Sequence, residues 1–471
     1  MTARLRGSRS IALLACWTML FTPARAADWP VFGADPAHSG AAHVAGLNAG
    51  TVAGLRERWR VKLGDVADSA PIVVRNRLFE TTRDGTTYAL DVETGHLLWR
   101  FSTHGPKITT SVPAFDPAGS TLYVPGVDGL VHKLDPSTGH ETRERGFPAQ
   151  ITMAPETEKV ASPLTIAGGY LYVQTSGYLG DATPYVGHVV AIRLSDGAKR
   201  VFNTLCSAKH ELVVPQSCPA QRSGMWSRAG VVVDPERAMG GRIYVATGNG
   251  PFNASAGDYG DSILALSSDG SRLLASYTPS DAADLEASDR DVGSSSPALL
   301  PRQGNSKTAL MAVQGGKDSV LRLLDRTHLS SVVQTLDLGD ELFSAPAVWT
   351  DRSATAWVFI GLSDGVHAYR VVTTNGTSRL VSAWHAAVES SREGASPVAG
   401  NGVVFVATSG HLVALDATNG HVVWNSSTIG AIHWESPVIA NGSVYCSDED
   451  GYVSAFAAPT RPRPSSHRGP S

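Results

Sequence analysis

Cysteine is scarce, with four in 471 residues. No two are adjacent and none form a CxxC pair, which argues against a thiolate zinc site. The chain also lacks CxxCH, so it attaches no c-type haem. Net charge is only -4, and no basic stripe with interleaved aromatics occurs, which sets aside a nucleic-acid surface. Beyond the first two dozen residues no apolar run is long enough for a membrane helix. A nucleophile elbow, an HExxH zinc motif and a P-loop are all missing. Those absences leave a globular chain, 42% hydrophobic and 17% charged, with ample length for a large core.

What is present begins with a targeting segment. Arg4, Arg6 and Arg9 precede an apolar stretch from Ile11 to Phe21, and Ala24-Arg25-Ala26 fits a small-x-small cleavage site. Residues 1–26 therefore read as a signal peptide, and the mature chain as exported, periplasmic or secreted. A rival reading takes Leu13-Leu14-Ala15-Cys16 as a lipoprotein signal. Export suits the remaining cysteines: Cys206 and Cys218 share one irregular stretch and are placed to close a loop, while Cys446 sits in a strand as a buried thiol.

Glycine (47) and proline (27) are plentiful, as short strands joined by tight turns require. Residues 69–99 show the unit: an apolar run after Ala70-Pro71, two runs facing each other across Asp84-Gly85, and a last run to Trp99 after Glu93-Thr94-Gly95. The unit recurs after Val112-Pro113, Ser162-Pro163, Ser296-Pro297, Ala345-Pro346, Ser396-Pro397 and Ser436-Pro437, and without proline near Trp226. Four antiparallel strands at a period of about 40–70 residues predict an all-β, eight-bladed β-propeller. Trp99, Trp384 and Trp424 hold equivalent places and read as packing between blades. The last unit has only three strands, and the orphan strand around Trp59 is expected to complete it and close the ring. The propeller spans 27–458, and 459–471 is a Pro/Ser/Arg-rich tail.

Blade topology selects one face for a site. Residues entering each first strand and leaving each second strand ring the mouth of the central channel. They include Lys107, Tyr178, Asp181, Trp226, Asn249, Asp291, Lys317, Phe343, Arg392, Glu393, His433, Trp434 and Glu435. Units three to five carry the insertions, which in repeat folds mark the binding side.

The repeat LYV-x-DG-x-ALD-x-TG-x-W resembles the propeller of the quinoprotein (PQQ-dependent) alcohol dehydrogenases and the exported PQQ-like repeat proteins. The resemblance covers roughly 28–457. It implies that Trp226 is the floor under the quinone, that Asn249 in Thr247-Gly248-Asn249-Gly250 ligates calcium, that Asp291 (or Asp289) is the catalytic base, and that Lys317 touches the quinone oxygens. Departures accompany it. The family's adjacent cysteine pair is absent, unit two has no clear counterpart of the arginine near that pair, and Leu179 stands near the calcium-ligating glutamate position, leaving Asp181 as the substitute. Each residue also has a structural alternative: Asn249 as a left-handed turn residue beside Gly250, Asp291 as an ion-pair partner, Trp226 as packing and Lys317 as a solvated rim residue.

Two functions follow. In the first the chain is an oxidoreductase that oxidises an alcohol by hydride transfer to PQQ with calcium, passing electrons to a separate carrier. In the second it is a non-catalytic propeller of the cell envelope that binds a small molecule or a protein.

Overall fold

The computed structural model describes residues 28–42, 47–388 and 395–459. The expected leader, Cys16, the mouth residues Arg392 and Glu393, and all but the first residue of the tail lie outside them. Among the described residues, eight antiparallel sheets form the blades of a propeller, seven of four strands and the third of five, where Glu158–Val160 also pairs with Tyr170–Gly177. Blades one to seven span 72–102, 114–150, 165–203, 232–277, 298–337, 347–386 and 398–426. Blade eight takes three strands from 438–457 and its outermost from Arg56–Lys62, which pairs with Tyr452–Ala457 so that Trp59 lies opposite Ala455. The orphan strand thus closes the ring.

Blade one shows why the repeat folds. Asp84 accepts the Thr86 amide at 3.0 Å and Gly85 takes a φ of +79°, which turns the central hairpin. In the outer hairpin Asp91 Oδ1 accepts the amides of Glu93 and Thr94, an Asx turn that Asp135 repeats in blade two. Middle strands are buried on both faces (Thr86–Asp91, Val403–Thr408), whereas the outer strand Leu97–Ser102 is largely exposed, with only Trp99 and Phe101 half-buried.

Blades are joined by two repeated contacts. The outer-strand tryptophan of one blade donates its indole N–H to a carbonyl in the next: Trp59 to Val92, Trp99 to Pro136 and Trp384 to Ala417. Its ring lies on the glycine of the neighbouring outer turn. A Cβ on Gly139 or Gly420 would stand 2.6 Å from Trp99 or Trp384, and both glycines have positive φ. Serines at the blade starts form the second contact. Ser111 donates to Ser162 O, Ser162 to Met225 O and Ser295 to Ser344 O, while Ser396 accepts from the Ala345 amide. Each such bond contributes about 1 kcal/mol. Proline beside them costs no ladder bond, because the innermost strand is an edge.

The lead-in at 28–42 has a role its composition did not disclose. Trp29 pairs with Val73, Pro30 O accepts from Phe115, Pro36 O from Val233, Ser39 O from Val348 and Gly40 O from Ala399. His38 bonds Phe32 O, the Thr165 hydroxyl and Val231 O with its ring nitrogens. This segment crosses the axis against six innermost strands, at the end away from the mouth, and leaves a void of only about 10 Å³ lined by Trp29, His38 and Pro437. The mouth is a cup closed from below. No helix among the described residues is long and apolar enough to cross a membrane.

Candidate active site at the propeller mouth

Trp226 lies on the segment entering blade four, and Asn249 follows that blade's second strand, Ile243–Ala246. Asp289 and Asp291 lie between the helix Ala282–Ala287 and the turn Val292–Ser294, and Lys317 follows Met311–Gln314 in blade five. Asp181 ends the turn Leu179–Asp181 after the second strand of blade three.

The structure brings all five predicted residues together. Asn249 Nδ2 donates to Asp181 Oδ2 at 3.0 Å and to Asp289 Oδ1 at 2.5 Å. Lys317 Nζ reaches Asp289 Oδ1 at 2.9 Å and Asp291 Oδ1 at 2.7 Å. Trp226 Nε1 donates to Asp291 Oδ2 at 2.9 Å. One continuous chain of polar contacts therefore runs from Asp181 to the Trp226 indole. Tyr185 fixes its far end by donating to Asp181 Oδ1 at 2.6 Å. Asp181, Asp289 and Asp261 all take left-handed backbone, with φ of 51°, 55° and 46°. Such strain clusters at functional sites.

Asp291 is 1% exposed. Burial pushes its carboxyl up to about 6, with Lys317 and the Trp226 N–H pulling the other way. Burial alone would lower Lys317, yet Asp291 and Asp289 more than offset it and hold the ammonium above its usual range. Asp289 is exposed and held low: burial works against this, but Lys317 and Asn249 outweigh it. Gly248 permits the approach, since a Cβ there would stand 2.5 Å from Asp291 Oδ2.

Sequence reasoning missed Asp261. It is fully buried, Oδ1 accepts the Val292 amide at 3.2 Å, and Oδ2 has no hydrogen-bond partner. Burial, then Asp291, pushes its carboxyl up to about 8. The signal was an aspartate closing the same insertion that carries Asn249. Of the structural alternatives, the left-handed turn at Asn249 is wrong: its φ is not positive, and its side chain is spent on two carboxylates. The alternatives for Asp291 and Trp226 hold alongside the predicted geometry. Asp291 is ion-paired, and Trp226 packs against Phe343 and edge-on to Trp434, with ring centroids 6.1 and 5.7 Å away. Lys317 is mostly buried and paired, so it is not a solvated rim residue. Lys107 and Tyr178 form a separate cation–ring pair on the rim.

Both expected groups suit this donor set. Asn249 Oδ1 is buried without a partner, and the amide donors occupy a gap between two carboxylates. Carboxylate and amide oxygens are the ligands a hard divalent cation takes. An indole face with Lys317 Nζ 5.3 Å from its centroid, beside Arg228 over Trp434 at 4.6 Å, suits a flat polyanion.

Known proteins resemble the chain on three levels. Polyvinylalcohol dehydrogenase of Pseudomonas sp. is 28% identical over 222 residues, 43% of this chain and 33% of that protein. The enzyme of the same name from Sphingopyxis sp. (strain 113P3) is 23% identical over 243 residues, 47% and 35% respectively. The match thus spans about a third of the length of these curated relatives. Among solved structures, quinohemoprotein alcohol dehydrogenase from Comamonas testosteroni superposes with a TM-score of 0.68 at 16% identity, over 93% of this chain and 81% of that one. BamB from Moraxella catarrhalis gives 0.55 at 14%, over 86% and 99%. These likenesses establish the fold. The family model described as outer membrane protein assembly factor BamB matches residues 17–218 and 368–463. With more than half of its length matched, the chain belongs to that family of PQQ-like propellers.

Proposed function

We propose that this chain is a quinone-dependent oxidoreductase that oxidises an alcohol at the propeller mouth, with PQQ on Trp226 and calcium held by Asn249 and Asp181. The observation that carries the reading is the convergence of six side chains from three blades on one polar chain that runs from Asp181 through the Lys317–Asp291 pair to the Trp226 indole. Burying such a pair is a net cost to stability unless geometry and further bonds offset it. A purely structural mouth would do as well with apolar residues.

When bound, the quinone supplies the hydride acceptor and the calcium ion the Lewis acid. The protein's own groups do the rest. Asp291, with its carboxyl near 6, is ionised at neutral pH and basic enough to take the hydroxyl proton of an alcohol. Lys317 and the Trp226 N–H fix its two oxygens. Asp289, exposed and held low, is the weaker candidate for base. Asp261 carries a proton at neutral pH and holds the Val292 turn behind the site. Asn249 Oδ1 and Asp181 Oδ2 offer hard oxygens, and Phe343 and Trp434 wall the site from water. The names of the relatives extend the candidate substrates to polyvinyl alcohol. Export through a leader ending at Ala26 and an external electron carrier belong to the same proposal.

Purified protein, incubated with PQQ and calcium and given primary and secondary alcohols or polyvinyl alcohol, is expected to reduce a dye acceptor. Asp291→Asn lowers kcat by about 10²–10⁴-fold while PQQ remains bound. A protein that takes up no PQQ at micromolar concentration, and that instead captures an envelope partner, would overturn the proposal in favour of the scaffold reading, which the family's description favours.

A further inference from the structure

We propose that Asp68, His433 and Glu449 form a second site, for a divalent transition-metal ion such as zinc or manganese, on the rim beside Trp434. The site is made by ring closure. Asp68 enters blade one, His433 enters blade eight, and Glu449 leaves the second strand of blade eight, Ser443–Ser447. One ligand atom from each lies within 4.8 Å of the others. His433 Nδ1 is 3.4 Å from Asp68 Oδ1 and 4.0 Å from Glu449 Oε1. Ligands bound tetrahedrally to zinc at 2.0–2.2 Å lie about 3.4 Å apart, so small side-chain movements close the set. One imidazole and two carboxylates suit zinc or manganese.

Two further features point inward. Asp68 is 2% exposed, yet its Oδ1 has no hydrogen-bond partner. A buried carboxylate oxygen without a donor is costly, and a cation removes that cost. The outer oxygens are occupied differently: Arg83 Nε lies 3.7 Å from Asp68 Oδ2 and Nη1 3.9 Å from Glu449 Oε2. The guanidinium thus steadies both carboxylates from behind and leaves the inner oxygens facing the imidazole, as outer-sphere partners do around bound metals. The loop carrying His433 is fixed by Glu435 Oε2, which accepts the His433 and Trp434 amides at 2.7 and 3.1 Å. The other His-carboxylate cluster, Asp364, His367 and His385, is mostly exposed.

The test needs neither quinone nor alcohol, so it stands or falls apart from the proposed reaction. Full-length protein is titrated with cobalt(II) at pH 7.5 by calorimetry, with visible absorption reporting nitrogen ligation and Trp fluorescence reporting an ion near Trp434, whose ring lies 4.6 Å from that of His433. The wild type is expected to bind, and His433→Gln and Glu449→Gln each to lose one cobalt equivalent or weaken it at least about tenfold, while His367→Gln leaves that equivalent intact. Thermal unfolding shows which variants are folded, and either suffices. Wild type that binds no cobalt at 1 mM, or His433→Gln and Glu449→Gln that bind as the wild type does, would refute the site.

Discussion

Gly248→Ala places a methyl group on the bond that ties the indole to the carboxylate. The new Cβ would stand 2.5 Å from Asp291 Oδ2 and 3.0 Å from Trp226 Nε1, against a bond of 2.9 Å. Gly248 is not left-handed, so alanine fits its backbone and gains a few tenths of a kcal/mol from a stiffer unfolded chain. The carboxylate is the movable partner and must leave Trp226. A hydrogen bond to an ionised group contributes about 1.5–3 kcal/mol, equivalent to about 1–2 pKa units. Asp291, already pushed up to about 6 by burial and partly held down by that N–H, moves to about 7–8.

The sign for stability follows from linkage. Asp291 has an unfolded value near 3.8 and a folded value near 6. Its folded value is raised, so its contribution is fully present below 3.8 and is lost as pH rises through 6. In the variant the loss continues to about pH 8. Near pH 5 the folded carboxyl is protonated in both proteins, and they differ only by local strain. By pH 8.5 the variant falls further behind by about 1.5–3 kcal/mol. Urea unfolding at the two pH values measures the difference, and carboxyl ¹³C NMR of Asp291 follows the ionisation directly. Gly304→Ala, whose Cβ meets nothing within 4 Å, is the neutral control. An equal loss at both pH values, or an unmoved Asp291 titration, would refute this account of what tunes the carboxyl.

Gly420→Ala and Gly402→Ala separate backbone cost from the indole contact within blade seven. Both have positive φ (75° and 84°), but only Gly420 faces a ring, with Trp384 2.6 Å from its Cβ, while Gly402 meets nothing. Each pays about 1–2 kcal/mol for the conformation, and Gly420→Ala loses about 2 kcal/mol more through the displaced indole and its bond to Ala417. Equal urea midpoints would show that the tryptophan contact does not join the blades. Asp261→Asn removes a carboxyl raised from 3.8 to about 8, whose contribution is present at low pH and lost as pH rises to 8. The variant's stability curve between pH 5 and 8 is expected to be flatter by up to about 1.4 kcal/mol per pH unit, and a slope unchanged from wild type would show that Asp261 is not a protonated neighbour of Asp291.

The features legible in the sequence were those that repeat. Asp84-Gly85 and Glu93-Thr94-Gly95 specify hairpins through local chemistry, and once eight such units are aligned the ring, its closing strand and its mouth follow. The candidate site was legible because its residues depart from the template on the face topology selects, and Trp226, Asn249, Asp291, Lys317 and Asp181 do meet there. What stayed hidden is what the ring creates by closing. Segment 28–42 carries no repeat and no strong period, so nothing local shows that it will cross six inner strands and seal the axis. The serines before the blade-start prolines mark only where a unit begins, yet their hydroxyls bind the neighbouring blade. Asp68 and Glu449 occupy the same positions in their units as the mouth residues, but neither stands in a motif. Their chemistry lies in facing each other across the seam where the first and last blades meet. In a closed ring the residues flanking the seam are distant in sequence and adjacent in space. The seam is also the place where a bound ion would tie the two ends of the propeller together, so that metal and ring closure would stabilise each other.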